Sequence, residues 1–225
     1  FATEARLALL GLFERSRDWR AAADIATQLE QTGTGSFAKR VAHYQCEIAL
    51  EADARGDAAA AEAALAAARQ VAPQAVRPLI QQAQRLARLG QAAAAFELGN
   101  TLRQLNPEAL VRIAGDYVAW AQGCGQQAAA RDALEQLYTQ MPGIELLRAL
   151  ATLEGVPPGR SARLPELLRT QPTLSAAQDL LDTPSDQWPE SARESVRLGV
   201  RDAVSRAARP LQRYRCAACG FEAQR

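Results

Sequence analysis

Three glycines, three alanines and three prolines keep step along the middle of the chain. Gly56, Gly90 and Gly125 lie 34 and 35 residues apart, and Pro73, Pro107 and Pro142 keep the same spacing. Each proline follows its glycine by 17 residues, and Ala61, Ala95 and Ala130 each follow theirs by five. A fixed period of this length describes a stack of small units, not one closed core. The chemistry of each position agrees. Glycine lets the chain turn sharply at a helix end. A small residue five positions on lets the next helix lie close. Proline cannot continue a helix and so ends the unit.

Composition fits such a stack. Hydrophobic residues make up 48% of the chain but aromatics only 5%, and 49 of its 225 residues are alanine. Many small contacts are available and few large ones. Ala49 and Ala83 supply a small residue within the first helix of their units. A less regular unit covers about residues 3–34, with Trp19 and Ala22 opening its second helix. An eroded one ends at Pro172, its turn shortened by Pro157-Pro158-Gly159. The order of helix, Gly turn, helix with a small residue and closing Pro is that of the tetratricopeptide repeat. It predicts an all-α solenoid of helical hairpins over residues 1–182. Beyond Pro172 the period is lost. Ser175 is placed to cap a short helix through Leu181, and Thr183-Pro184-Ser185-Asp186 breaks it. Ala192, Val196, Gly199, Val200, Ala203, Val204 and Ala207 recur at helical spacing. They predict an amphipathic helix over about 190–208, within a 183–213 segment, that caps the last exposed face.

The final segment, 214–225, opens Tyr214-Arg215-Cys216-Ala217-Ala218-Cys219-Gly220-Phe221. Two thiolates at Cys-x-x-Cys spacing can face one metal ion, with backbone N–H groups of the turn directed at the sulfurs. Tetrahedral zinc or iron takes four such ligands, so Cys216 and Cys219 are half a site. Cys46, mid-helix, reads as a small buried hydrophobe, and Cys124, between two glycines, as a turn residue. The other two ligands are expected beyond Arg225. Adventitious thiols and a redox pair are competing readings. A thioredoxin-type pair needs a strand before it and a helix after it, whereas here a basic helix precedes and Gly-Phe follows.

The chain offers little for catalysis. His43 is the only histidine, and no phosphate-cradling loop, metalloprotease helix or nucleophile triad is present. The formal charge of +1 disfavours a nucleic-acid clamp over the whole chain. No stretch is long and apolar enough to cross a membrane, and no secretory signal is visible. Opening at Phe1 and stopping just after a cysteine motif, the sequence reads as a segment with more chain on both sides. Two surfaces remain as partner sites. His43, Arg77 and Arg112 share the second position of successive repeats, which faces the concave groove, and Gln84 takes another groove position; a solvated polar face is the competing reading. Arg193, Arg197 and Arg201 form a basic stripe at i, i+4, i+8. Seven arginines between 193 and 215 stand against Glu190, Glu194 and Asp202. A solvated face, an anionic membrane or acidic protein, and nucleic acid are the readings open for it. The aromatic residues that single-strand binders interleave are missing. Trp19, Trp120 and Trp188 read as core wedges.

The repeat array, the amphipathic helix and the terminal Tyr-Arg-Cys-x-x-Cys-Gly-Phe together resemble the lipopolysaccharide assembly protein B (YciM) family of Gram-negative bacteria. Leu12-Phe13-Glu14-Arg15-Ser16-Arg17-Asp18-Trp19 and Val41-Ala42-His43-Tyr44-Gln45-Cys46-Glu47-Ile48-Ala49-Leu50 are similar to it as well. The resemblance implies a non-enzymatic adaptor at the cytoplasmic face of the inner membrane, held by an N-terminal anchor that this chain does not include. It implies a rubredoxin-like domain binding iron or zinc, of which only the first knuckle is present. It further implies partners: the membrane AAA protease FtsH, the committed-step lipid A deacetylase LpxC whose degradation the family promotes, and other membrane proteins regulating lipopolysaccharide. The alternative is a generic tetratricopeptide interaction module whose zinc knuckle contacts nucleic acid.

Overall fold

The computed structural model describes residues 2–33, 35–184, 193–208, 213–215 and 222–224. The chain divides into two compact units, 1–110 and 111–225. Among the described residues the regular secondary structure is helical but for two three-residue strands.

The first unit is built from α1 (Ala2–Ser16), α2 (Trp19–Gln31), α3 (Ala38–Ala54), α4 (Ala58–Val71), α5 (Val76–Arg88) and α6 (Ala92–Leu105). They pair as three hairpins, α1/α2, α3/α4 and α5/α6. The periodic alanines do what their size allows: Ala61, Ala95, Ala49 and Ala83 are all buried at helix–helix contacts. Asp18 and Asp57 cap α2 and α4, each accepting a hydrogen bond from the backbone N–H three residues on, at 3.1 and 3.0 Å. Short α7 (Pro107–Arg112) begins at the second of the periodic prolines. Asn106 accepts from the Ala109 N–H at 2.9 Å, so Pro107 opens a helix as well as closing a repeat.

In the second unit, α8 (Ala114–Gly123) and α9 (Gln127–Gln140) are followed by α10 (Ile144–Glu154), a 3₁₀ turn at Pro158–Arg160, α11 (Leu164–Thr170) and α12 (Leu174–Leu181). The first helix of the fourth repeat is thus two pieces, α7 and α8, parted at Ile113 (φ −117°, ψ 23°). Thr173, not Ser175, caps α12. It is extended (φ −111°, ψ 153°), which aims its hydroxyl at the Ala176 N–H, 3.2 Å away. α13 (Arg193–Ala208) lies on α11 and α12 and buries Val196 and Ala203 among Leu164, Leu167, Leu168 and Leu180. Gly199 permits the approach; a Cβ there would sit 3.0 Å from that of Leu168. Strands β1 (Arg213–Arg215) and β2 (Glu222–Gln224) pair antiparallel, with Tyr214 opposite Ala223.

The five repeat turns share one geometry. The residue after the turn donates back to the carbonyl five positions earlier: Asp18 to Phe13, Asp57 to Ala52, Gln91 to Leu86, Gln126 to Ala121, Val156 to Ala151, at 2.8–3.0 Å. This helix-ending motif needs a left-handed residue. Gly56, Gly90, Gly125 and Gly155 provide it with φ between 69° and 77°. In the first repeat Arg17 does so, at φ 57°, which costs a side-chain-bearing residue about 1–2 kcal/mol. That is why the first repeat is the hardest to see in the sequence.

Candidate functional site

The polar residues of the first unit are not scattered. They form a ladder along α1, α3 and α5, the first helices of its three hairpins. Each rung runs from an arginine to a carboxylate one repeat earlier. Arg40 on α3 meets Glu14 on α1 at 2.7 Å. Arg77 on α5 meets Glu47 on α3 at 2.6 Å. Arg85 and Arg88 on α5 share Asp53 on α3, at 2.9 and 3.2 Å. Arg85 is nearly buried and also donates to the Ala58 carbonyl at 2.9 Å. A cavity of about 280 Å³ beside this last rung is lined by Asp53, Gly56, Ala58, Arg85, Arg88 and Leu89. Both guanidiniums there are already held by Asp53.

His43 stands between two rungs. It accepts a hydrogen bond at Nδ1 from Arg77, which places its own proton on Nε2, 3.8 Å from the Glu47 carboxylate. Its ring meets Trp19 edge-on at 6.2 Å and Tyr44 at 5.8 Å, while Trp19 stacks on Tyr44 at 17° and 6.2 Å. Burial and then the Arg77 charge hold the His43 pKa below its ordinary value, against the pull of Glu47 and Glu14. The Tyr44 hydroxyl donates to Glu14 and accepts from Arg40 Nε at 3.1 Å. Burial, with that bond to Glu14, pushes the Tyr44 pKa up to about 12. Burial also raises Glu14, but hydrogen bonds from Tyr44 and Arg40 outweigh it and leave the carboxyl below its usual range. The cluster is a balanced surface, with two arginines against two carboxylates around a neutral histidine and an aromatic platform.

The sequence-predicted groove residues therefore fare differently. His43 and Arg77 are brought into contact, and Arg77 spends its charge on Glu47. Gln84 is half-buried on α5. Arg112 is exposed at the end of α7, in the second unit. Glu14, Arg40, Tyr44 and Glu47 were not singled out by sequence, and Trp19 was read only as a wedge. A signal existed: an acid on one repeat and an arginine about 30 residues later, which the glycine period does not reveal. Cys46 is buried, and burial pushes its thiol up to about 11, so it is an inert core residue. Trp120 is buried as well, whereas Trp188 lies outside the described residues.

On α13, Arg197 is exposed and paired with Glu194 at 2.9 Å, and Arg201 lies 3.8 Å from Asp202. The Arg193 side chain lies outside the described residues, as do Cys216 and Cys219. The strands on either side are described, and the Cys-x-x-Cys-Gly run is the connection between them. A strand, β1, and not the expected basic helix, immediately precedes the pair, as it does in a thioredoxin-type site, but the next described element after it is a strand where that site has a helix. Among the described residues no three His, Cys, Asp or Glu side chains form a metal-binding group. None of the described helices is long and apolar enough to cross a membrane.

No protein-family model matches the chain. Curated proteins do. Lipopolysaccharide assembly protein B of Escherichia coli strain K12 is 25% identical over 222 residues, and those of the O6:H1 and O157:H7 strains align to the same extent. The chain spans 56% of the length of these relatives. The resemblance of the chain as a whole is thus borne out: 96% of it is similar to lipopolysaccharide assembly protein B.

Proposed function

We propose that this chain is the repeat scaffold of a regulator of lipopolysaccharide assembly, working by binding and not by turnover. The observation that carries the reading is the likeness to lipopolysaccharide assembly protein B along 96% of the chain. The scaffold holds the membrane protease FtsH and the lipid A deacetylase LpxC within reach of each other at the cytoplasmic face of the inner membrane, and so promotes the deacetylase's degradation. An anchor outside this chain supplies the attachment. His43 supports a binding role: it is engaged by Arg77 and is kept neutral by burial and that charge, an arrangement for shaping a surface. Cys216 and Cys219 would give two of the four ligands of a structural zinc or iron site, completed by residues outside this chain.

Pairing of Arg197 with Glu194 removes part of the positive charge that a nucleic-acid reading of α13 needs. The test is deacetylase lifetime in cells whose intact regulator carries Cys216→Ser. A longer-lived deacetylase is expected. Unchanged turnover, with salt-sensitive RNA or DNA binding by the protein, would replace the adaptor with the nucleic-acid module.

A further inference from the structure

The cavity beside the last rung of the ladder carries a charge that the rung does not balance. Asp53 is the one carboxylate on its wall, and two guanidiniums share it, Arg85 at 2.9 Å and Arg88 at 3.2 Å. Arg85 is only 9% exposed, so it has lost most of its water. A buried cation needs a full counter-charge, and this one has a shared counter-charge. Arg88 meets Asp53 through one nitrogen, with 59% of its side chain open to solvent, although a guanidinium carries five N–H donors. Neighbouring acids do not correct the balance. Asp57 is committed to the Ala60 N–H at 3.0 Å, where it caps α4, and Glu51 pairs with Arg55 at 3.9 Å. Two cations against one anion leave one positive charge on the wall.

The rest of the wall is apolar: Gly56, Ala58 and Leu89 complete it, and Leu89 is left 56% exposed. The volume of about 280 Å³ corresponds to about nine waters. We propose that this cavity binds an aliphatic monocarboxylate, either a short free acid or a glutamate side chain of a partner polypeptide. The carboxylate lies in the fork of Arg88 and completes the neutralisation of the Arg85–Asp53–Arg88 group. The aliphatic body covers Leu89 and Ala58. Charge decides the class. One negative charge matches the one positive charge that Asp53 leaves. A phosphate monoester, at about −1.5 to −2, would set surplus negative charge beside the Asp53 carboxylate. An uncharged apolar ligand would leave Arg85 as it is. A smaller hollow of about 150 Å³ also touches Arg85 and Leu89, but Glu62 on its wall disfavours an anion there. One charge contact and a small apolar one support a Kd of about 1 mM.

Titration of the nitrogen-15-labelled full chain with isocaproate over about 0.1–20 mM tests this, because the range brackets millimolar affinity. The amide resonances of Ala58, Leu89 and Gly90 should shift together and saturate. Isocaproamide, the same body without the charge, should leave them in place, and methyl phosphate should bind at least about tenfold more weakly. Arg88→Gln should weaken isocaproate about tenfold, and its exposed position keeps the fold intact. Leu89→Asn should weaken isocaproate several-fold but leave acetate unchanged, since acetate has no body to lay on Leu89. Asp53→Asn should raise the affinity for methyl phosphate, because it removes the acid that repels a dianion. A Glu-Leu dipeptide blocked at both ends separates the two sources. Tighter binding than isocaproate assigns the cavity to a partner polypeptide, and weaker binding to a free acid. A wild-type chain that gives no shifts with isocaproate, equal binding of isocaproamide, a preference for methyl phosphate, or indifference to Arg88→Gln would each overturn the proposal.

Discussion

The two units solve the same stacking problem with different materials. In the first, the core around Ala22, Ala26, Ala42, Ala49, Ala64 and Ala68 is made largely of small residues. Helices come close, but each alanine removes little apolar surface from water. The long side chains are spent instead on the arginine–carboxylate ladder of α1, α3 and α5. In the second, Leu147, Leu164, Leu167, Leu168 and Leu180 converge on α13. There the gain is transfer free energy, about 1.5–3 kcal/mol for each leucine fully buried. Ion pairs also occur in the second unit, such as Arg148 with Asp179 at 2.7 Å, but they fringe a leucine core. Polar ladders fix register through geometry. Leucine cores supply energy and tolerate irregular geometry, which is why a repeat with a shortened turn survives there.

Leu168→Ala should give the largest effect. Leu168 has no exposed surface and touches the α13 backbone at Gly199. The expected loss is about 3–4 kcal/mol, the transfer term plus a cavity. Native-state hydrogen exchange should show it in α10–α13, with α1–α6 little changed. Equal loss of protection in α3–α5 would show that the contrast between the units has no energetic meaning. Arg85→Ala should cost less, about 2 kcal/mol, and should appear in α3–α5. It strips the Ala58 carbonyl of a donor and leaves Asp53 to Arg88 alone, and partial exposure of Asp53 softens the loss. Arg85→Lys should recover little of it, since one ammonium cannot span both acceptors in the guanidinium's geometry. Full recovery would reduce the rung to a generic charge. Arg197→Ala, on a pair open to water, should leave α13 unaffected.

The repeats were legible because glycine, alanine and proline each act locally. A left-handed turn, a close approach and a stop leave a mark at one position, and that mark recurs with the period. The amphipathic α13 was legible for the same reason, through its spacing of apolar residues. The ladder was not. Its rungs join residues 26–35 apart, and they depend on how α3 is rotated against α1 and α5, which no single position encodes. His43 and Arg77 were found by repeat position, but their partners Glu47 and Trp19 sit at positions the period does not mark. The cap of α12 was misplaced at Ser175 because a Thr-x-Ser run offers two candidates, and the backbone at Thr173 decides between them. The break at Ile113 carries no proline or glycine of its own to announce it.

Acid should separate the two units further, by the smallest effect. The folded-state pKa of His43 lies below its ordinary 6.5, because burial and Arg77 oppose a second positive charge. The unfolded chain therefore takes up the proton first as pH falls. The stability tied to neutral His43 is complete above about pH 6.5, and declines as pH falls toward the lower folded value. Protonation also ends the acceptance of the Arg77 hydrogen bond, which loosens the α3–α5 rung from within. Glu14 acts in the same direction at lower pH: its carboxylate is favoured in the folded state, so its contribution is lost only as pH drops below 4.5. Exchange protection of α3 and α5 should therefore fall between pH 7 and 5 in the wild type, and His43→Gln should flatten that part of the profile. α10–α12 carry no histidine, and their protection should not follow this fall between pH 7 and 5. A pH dependence shared by both units, or one that survives His43→Gln, would place the titration outside the ladder.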